Sequence, residues 1–224
     1  MIPLRDNIRS LHFPIVNTAI IVACVVVFFA QLSTPDHGLS WAFVPHDLVS
    51  GEALSPHGMV RVLLALVASI FMHGGFMHIG SNMLFLWVFG DNVEDRMGHL
   101  RYLVFYLLCG VAASLAQSLF SGFSTTPMIG ASGAIAGVLG AYLVLFRYST
   151  IRALVFFFFI FMVDISAPVF IIYWFILQLF SGIGSIGLHA GVAYWAHIGG
   201  FGLGYLLVRR LAPPLRPAPP MGRP

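Results

Sequence analysis

Three separate stretches of this sequence carry side chains suited to nucleophilic chemistry. Ser132 lies in "IGASGAIAG" (129–137), His197 in "AYWAHIGGFGLG" (193–204), and His73, His78 and Asn82 in "HGGFMHIGSN" (73–82). A serine hydroxyl is a poor nucleophile until a base accepts its proton, and neutral imidazole is the usual base near pH 7. Ser132 and His197 suit those two roles. His78 and Asn82, at i and i+4, share one helix face and can point together at a substrate oxygen. A serine at the start of a helix also brings a backbone N–H without an internal partner, at the positive end of the dipole.

An orienting carboxylate is harder to find. Glu94 lies twelve residues past Asn82, roughly 18 Å along a helix axis, and Asp91, Asp95 and Asp164 are similarly remote. Only Asp36, Asp47 and Glu52 fall in a segment within reach. The pattern therefore predicts a Ser–His dyad rather than a triad.

The same residues have a plainer reading as packing. Gly130, Gly133, Ala134 and Gly137 form overlapping small-xxx-small patterns of the kind that join membrane helices. Gly200 and Gly204 give the stretch around His197 a matching small face, so the two runs are expected to meet. The lipase-type G-x-S-x-G is not matched, because position 134 is Ala and no strand precedes it. His73 and His78 are spaced H-x-x-x-x-H and lack the Glu of a zincin helix, so no metal is expected. Glu94, Arg96 and Gly98, in "NVEDRMG", read as a structural tie between one helix and the next.

What must position these residues is a set of membrane helices. Hydrophobic residues make up 59% of the 224, charged residues only 8%, and the mean hydropathy is +0.93. A soluble domain carries about 25% charged residues. The net charge of +3 comes with no Lys, and the 11 Arg sit singly or in pairs at the ends of apolar runs, which excludes a basic nucleic-acid groove. Cys24 and Cys109 fall inside apolar runs and read as packing residues rather than a disulfide.

Six runs qualify as spans: about 15–33, 77–95, 101–121, 131–148, 167–183 and 194–211. The first is too long for a signal peptide and is expected to be retained. Residues 59–72 and 153–163 fall short of a hydrocarbon core about 30 Å thick and are expected to be interfacial or re-entrant. Placing the N-terminus inside puts Arg5, Arg9, Arg96, Arg101, Arg147, Arg152, Arg209, Arg210, Arg216 and Arg223 on the cytoplasmic side, leaving only Arg61 outside. That asymmetry is the positive-inside pattern. The expected architecture is an all-α polytopic membrane protein. It has a cytoplasmic segment 1–14, a six-helix membrane domain 15–211 with an interfacial or re-entrant loop between helices 1 and 2, and a Pro-rich disordered cytoplasmic tail 212–224. Both termini lie inside.

This topology brings Ser132, His78, Asn82 and His197 to one depth near the outer face, from three separate spans. Polar side chains in lipid suggest function by default, and scattered packing residues have no reason to share a level.

With these residues in place, the chain resembles the rhomboid intramembrane serine proteases. The likeness covers roughly residues 15–211 and rests on "HGGFMHIGSN", "NVEDRMG", "GASG" and "AHIGGFGLG", in that order. The resemblance implies Ser132 as nucleophile, His197 as base, His78 and Asn82 as oxyanion support, and Gly200 and Gly204 as a tight contact between the fourth and sixth spans. It also implies cleavage of transmembrane substrates near the outer face of a cell membrane, with no cofactor. Two features depart from the family pattern. Leu64 and Ala65 stand where many members carry a Trp-Arg pair, and Ala136 stands where some place an aromatic residue. The competing expectation is a non-proteolytic rhomboid-like protein that binds transmembrane helices. A transporter is disfavoured, since neither inverted repeats nor midplane charges are visible.

Overall fold

The computed structural model describes residues 1–50, 55–156, 159–184 and 193–212. Glu52, His189 and the Pro-rich tail beyond residue 212 lie outside the described residues.

The helices are α1 (Ile15–Leu32), α2 (Pro56–Ala68), α3 (Phe76–Phe85), α4 (Asp91–Met97), α5 (His99–Phe120), α6 (Ser132–Leu145), α7 (Ala167–Gly184) and α8 (Tyr194–Leu211). Each of the six expected apolar runs is helical. The second is built from two helices, since α3 passes through a π-helical turn (Leu86–Gly90) into α4. The stretch before α3, expected to stop short of a span, is α2 plus a short 3-10 turn, bent 81° from the α3–α4 rod. The chain is extended at Met72 and again at Gly75, which makes the bend. Among the described helices, α1, α5 and α7 are each long and apolar enough to cross a membrane, and the bent α2–α4 unit passes as a fourth.

Hydrogen bonds tie these rods together at the end away from Ser132. The first turn of α1 follows Pro14 and has no side-chain cap of its own. Glu94 supplies one from a distance, accepting the N–H groups of Val16 (2.9 Å) and Asn17 (2.6 Å) and touching His99 at the start of α5. A carboxylate at a helix N-terminus also meets the favourable end of the dipole. The expected tie at "NVEDRMG" thus reaches α1 as well as α5, with Arg96 half-buried in the last turn of α4. Gly98, at φ +82°, allows α5 to start immediately after α4. Asn17 donates to the carbonyl of Leu86 (3.0 Å) beside the π turn and accepts from the Tyr102 hydroxyl (2.8 Å).

The all-α expectation needs correction, because the chain also holds a three-stranded antiparallel sheet. Strand β1 (Ile2–Asp6) pairs with β2 (Thr150–Phe156), which pairs with β3 (Ile160–Ser166). Residues 153–156 and 160–163 of the apolar stretch 153–163 are therefore paired strand. Their β-branched and aromatic residues favour strand over helix, and a short apolar run cannot be assigned by periodicity alone. Arg152 and Asp164 face each other across the hairpin in a two-pronged ion pair at 2.7 Å. The segment 1–14 is likewise no free tail, since β1 joins the sheet and Ser10, Leu11 and His12 bond to Asp91, Asn92 and Asp95.

Asp6 anchors that segment. It accepts from Tyr142 of α6 and from the Asn92 amide (2.7 Å), and burial raises its carboxyl to about 6. A carboxyl raised above its ordinary value of 3.8 takes up a proton on folding, so stability rises as pH falls from about 6 toward 3.8. We expect the thermal midpoint of the detergent-solubilised protein to increase between pH 7.5 and pH 5. Asp6→Asn should flatten that slope; an unchanged slope would show that Asp6 is not its source.

The core lies between α5, α6 and α8. From Gly133 to Tyr142 every residue of α6 is buried, so this helix is surrounded on all sides. Only small residues permit this. A Cβ on Gly200 would fall 2.0 Å from the Gly133 carbonyl oxygen, one on Gly204 2.1 Å from that of Gly137, and one on Gly140 2.4 Å from that of Phe201. Backbone meets backbone along the whole α6–α8 contact, a closeness open only to small residues. Cys24 and Cys109 are free and buried.

Candidate active site

Ser132 is the first residue of α6, following Ala131, and no side chain caps that end. The first closed turn is the bond from the Ile135 N–H to Ala131 O (3.0 Å), so the N–H groups of Ser132 and Gly133 precede the helical ladder. The close α6–α8 contact sets the reach across to His197. The Ser132 hydroxyl lies 2.8 Å from His197 Nε2, and His197 is almost fully buried.

The start of α8 is held from two sides. Gln117 of α5 accepts the Ala196 N–H through its side-chain oxygen (3.2 Å), and Trp195 stacks on Phe120 with centroids 4.1 Å apart. On its far side His197 meets α7. Its Nδ1 lies 2.7 Å from Gln178 Oε1, and its ring is 5.8 Å from that of Trp174.

His78 and Asn82 approach from α3. The Gly74 N–H donates to His78 Nδ1 (3.4 Å), which leaves the ring proton on Nε2. That nitrogen lies against Gly130, where a Cβ would fall 2.7 Å from it and 3.7 Å from Ser132 Oγ. Gly130 has φ +129°, so two independent reasons exclude a larger residue there. The Asn82 amide nitrogen is buried and has no hydrogen-bond partner among the described residues. A donor left unpaired at a buried site costs stability unless something else fills it.

His73 plays a different part. Its backbone N–H donates to Gln31 of α1 (3.0 Å), its Nδ1 donates to the Phe71 carbonyl (3.2 Å), and its ring packs edge-on against His78. It therefore buttresses His78 from behind. Among the described residues no group of His, Cys, Asp or Glu could hold a metal ion.

Ser132, His78, Asn82, Trp174 and His197 all line one cavity of about 1010 Å³. Among the described residues no Asp, Glu or Arg lines it, and Asp36 and Asp47 are engaged elsewhere. Asp36 accepts from Gly38 and Ser40, and Asp47 sits 3.5 Å from Arg61. The side chain on His197 Nδ1 is instead a neutral amide, Gln178, which the reading from sequence missed. The signal was available, because Gln178 is a lone amide in the apolar run 167–183.

The fold is that of a membrane-type helical bundle, with a serine hydroxyl on an imidazole inside one cavity. The chain belongs to the rhomboid family: the model of the Rhomboid domain matches residues 60–214. Among curated relatives it is similar to the rhomboid protease GluP of Bacillus subtilis, 44% identical over 78 residues, covering 35% of this chain and 15% of that protein. It is also similar to the rhomboid protease GlpG of Yersinia pestis, 27% identical over 136 residues, covering 60% of this chain and 44% of that one. The RHOMBOID-like protein 4 of Arabidopsis thaliana is 34% identical over 143 residues, 63% of this chain and 32% of its own. The chain thus spans less than half the length of each of these relatives.

Proposed function

We propose that this chain is an intramembrane serine endopeptidase that cleaves transmembrane proteins near the outer membrane face. The carrying observation is the 2.8 Å contact between Ser132 Oγ and His197 Nε2 inside a cavity large enough for a peptide segment. His197 takes the hydroxyl proton as Ser132 attacks the scissile carbonyl carbon. The negative charge that develops on the carbonyl oxygen meets donors already in place: His78 Nε2–H, the Asn82 amide and the Ser132 N–H. His197 returns its proton to the leaving amine, and a water activated by the same imidazole then releases the acyl group and regenerates the hydroxyl. No step calls for a metal or cofactor.

Six crossings with both termini in the cytoplasm are part of this reading. The Arg distribution supports it, since Arg209 and Arg210 close α8 at the end opposite His197. The sheet and the bonds from Ser10–His12 then lie on the cytoplasmic side. Exposed Phe159, Ile160 and Met162 on the hairpin suit an interfacial position for β2–β3, and α2 with its 81° bend suits the interfacial loop between the first two crossings.

The test needs no known substrate. A fluorophosphonate probe should label the purified protein in detergent, and labelling should vanish in Ser132→Ala and His197→Ala. A well-folded protein that takes up no probe would favour the alternative, a rhomboid-like protein that binds transmembrane helices without cutting them.

A further inference from the structure

Gln178 completes the arrangement around His197. We propose that it is a positioning residue, whose side-chain oxygen fixes the tautomer and ring orientation of His197 in place of the carboxylate of a triad. This inference rests on the serine-peptidase reading of the same site.

The geometry is a relay across three helices. Ser132 of α6 lies 2.8 Å from His197 Nε2, and Gln178 Oε1 of α7 lies 2.7 Å from Nδ1. A neutral imidazole has one N–H and one lone pair. An amide oxygen can only accept, so it holds the proton on Nδ1 and leaves the Nε2 lone pair facing the serine hydroxyl. The opposite tautomer would set a lone pair against the Gln178 oxygen and an N–H against Ser132, leaving no base.

The sequence of α7 is built to deliver this contact. Trp174 and Gln178 are four residues apart and share a face, and both meet the His197 ring. Phe175 packs on Phe201 one turn further along α8, and Gly182 lies beside Tyr194 and Ile198. The amide therefore sits in the middle of an otherwise apolar α7–α8 seam. A carboxylate there would place a charge in an apolar seam, behind a cavity that has no Asp, Glu or Arg in its lining among the described residues. An unpaired charge in such a place is costly, whereas an amide provides the acceptor without it. Among the described residues, the other titratable group lining the cavity is His78 of α3.

Two substitutions test this, read as the rate of fluorophosphonate labelling of Ser132 against pH. Gln178→Leu keeps the shape and removes the acceptor, and should slow labelling at neutral pH by about tenfold to a hundredfold. Gln178→Glu restores an acceptor that carries charge, which stabilises the imidazolium. It should recover labelling at high pH and move the acid limb of the profile to higher pH by about one unit or more. A purely structural role would leave that limb in place. Wild-type labelling with an unshifted acid limb in Gln178→Glu overturns the inference, as does an unchanged rate in Gln178→Leu. If Gln178→Leu does not fold, the Glu profile decides alone. Absence of labelling in the wild-type protein overturns the peptidase reading instead, so the two failures are distinguishable.

Discussion

Ser132→Ala and His197→Ala should each lower cleavage of a reconstituted transmembrane substrate by about 10⁴-fold or more, close to 5.5 kcal/mol of transition-state stabilisation. The two losses should not add. Ser132 and His197 act through one proton transfer across a single 2.8 Å contact, so removing either removes the step. The double variant should therefore be no worse than either single one, and all three should bind substrate with wild-type affinity. His78→Ala and Asn82→Ala should cost less, each about a hundredfold to a thousandfold, because each removes one of several donors. Full cleavage by purified Ser132→Ala protein would end the proposal, since Ser132 is the hydroxyl held on His197.

The second large effect leaves every polar side chain in place. Gly200→Ala adds one methyl group where the Gly133 carbonyl oxygen is 2.0 Å away, and Gly204→Ala does the same at 2.1 Å from that of Gly137. The obstacle is backbone on both sides, so no side chain can rotate away, and relieving the contact to an ordinary van der Waals distance takes a shift of about 1.5 Å. Separation of that size takes Ser132 and His197 out of hydrogen-bond range. Labelling by the probe should fall at least a hundredfold, the scale expected for a 1 Å misplacement. The thermal midpoint should also drop by several degrees, as overpacking by one methyl costs about 1–3 kcal/mol. Gly202→Ala is the control, because a Cβ there meets nothing within 4 Å and should change neither readout. Equal tolerance at positions 200, 202 and 204 would show that α6 and α8 do not pack this closely in the membrane.

The two predictions draw on different amounts of sequence information. Ser132, His78, Asn82 and His197 were legible because lipid makes unneeded polar groups expensive, so each stood out against its apolar run. The glycine faces were legible for the related reason that close helix approach restricts the contact to small residues. The β-hairpin was not. A run such as 153–163 has no period that separates a strand from a short helix, and the partner strand β1 lies almost 150 residues earlier in the chain.

By itself, the sequence determined the solvent and the helical runs, through apolar length, and the candidate nucleophile and base, through the cost of polarity in lipid. It also marked which faces had to be small. Only the tertiary structure decided what each polar group meets. It set Glu94 on the first turn of α1, laid His78 Nε2 against Gly130 beside Ser132, and put a neutral amide from α7 where the reading from sequence looked for a carboxylate. The physical reason is that hydrophobic burial constrains each helix nearly independently, and composition records it. Hydrogen-bond partners are fixed by distances of about 3 Å between helices far apart in the chain, which no local pattern of residues encodes.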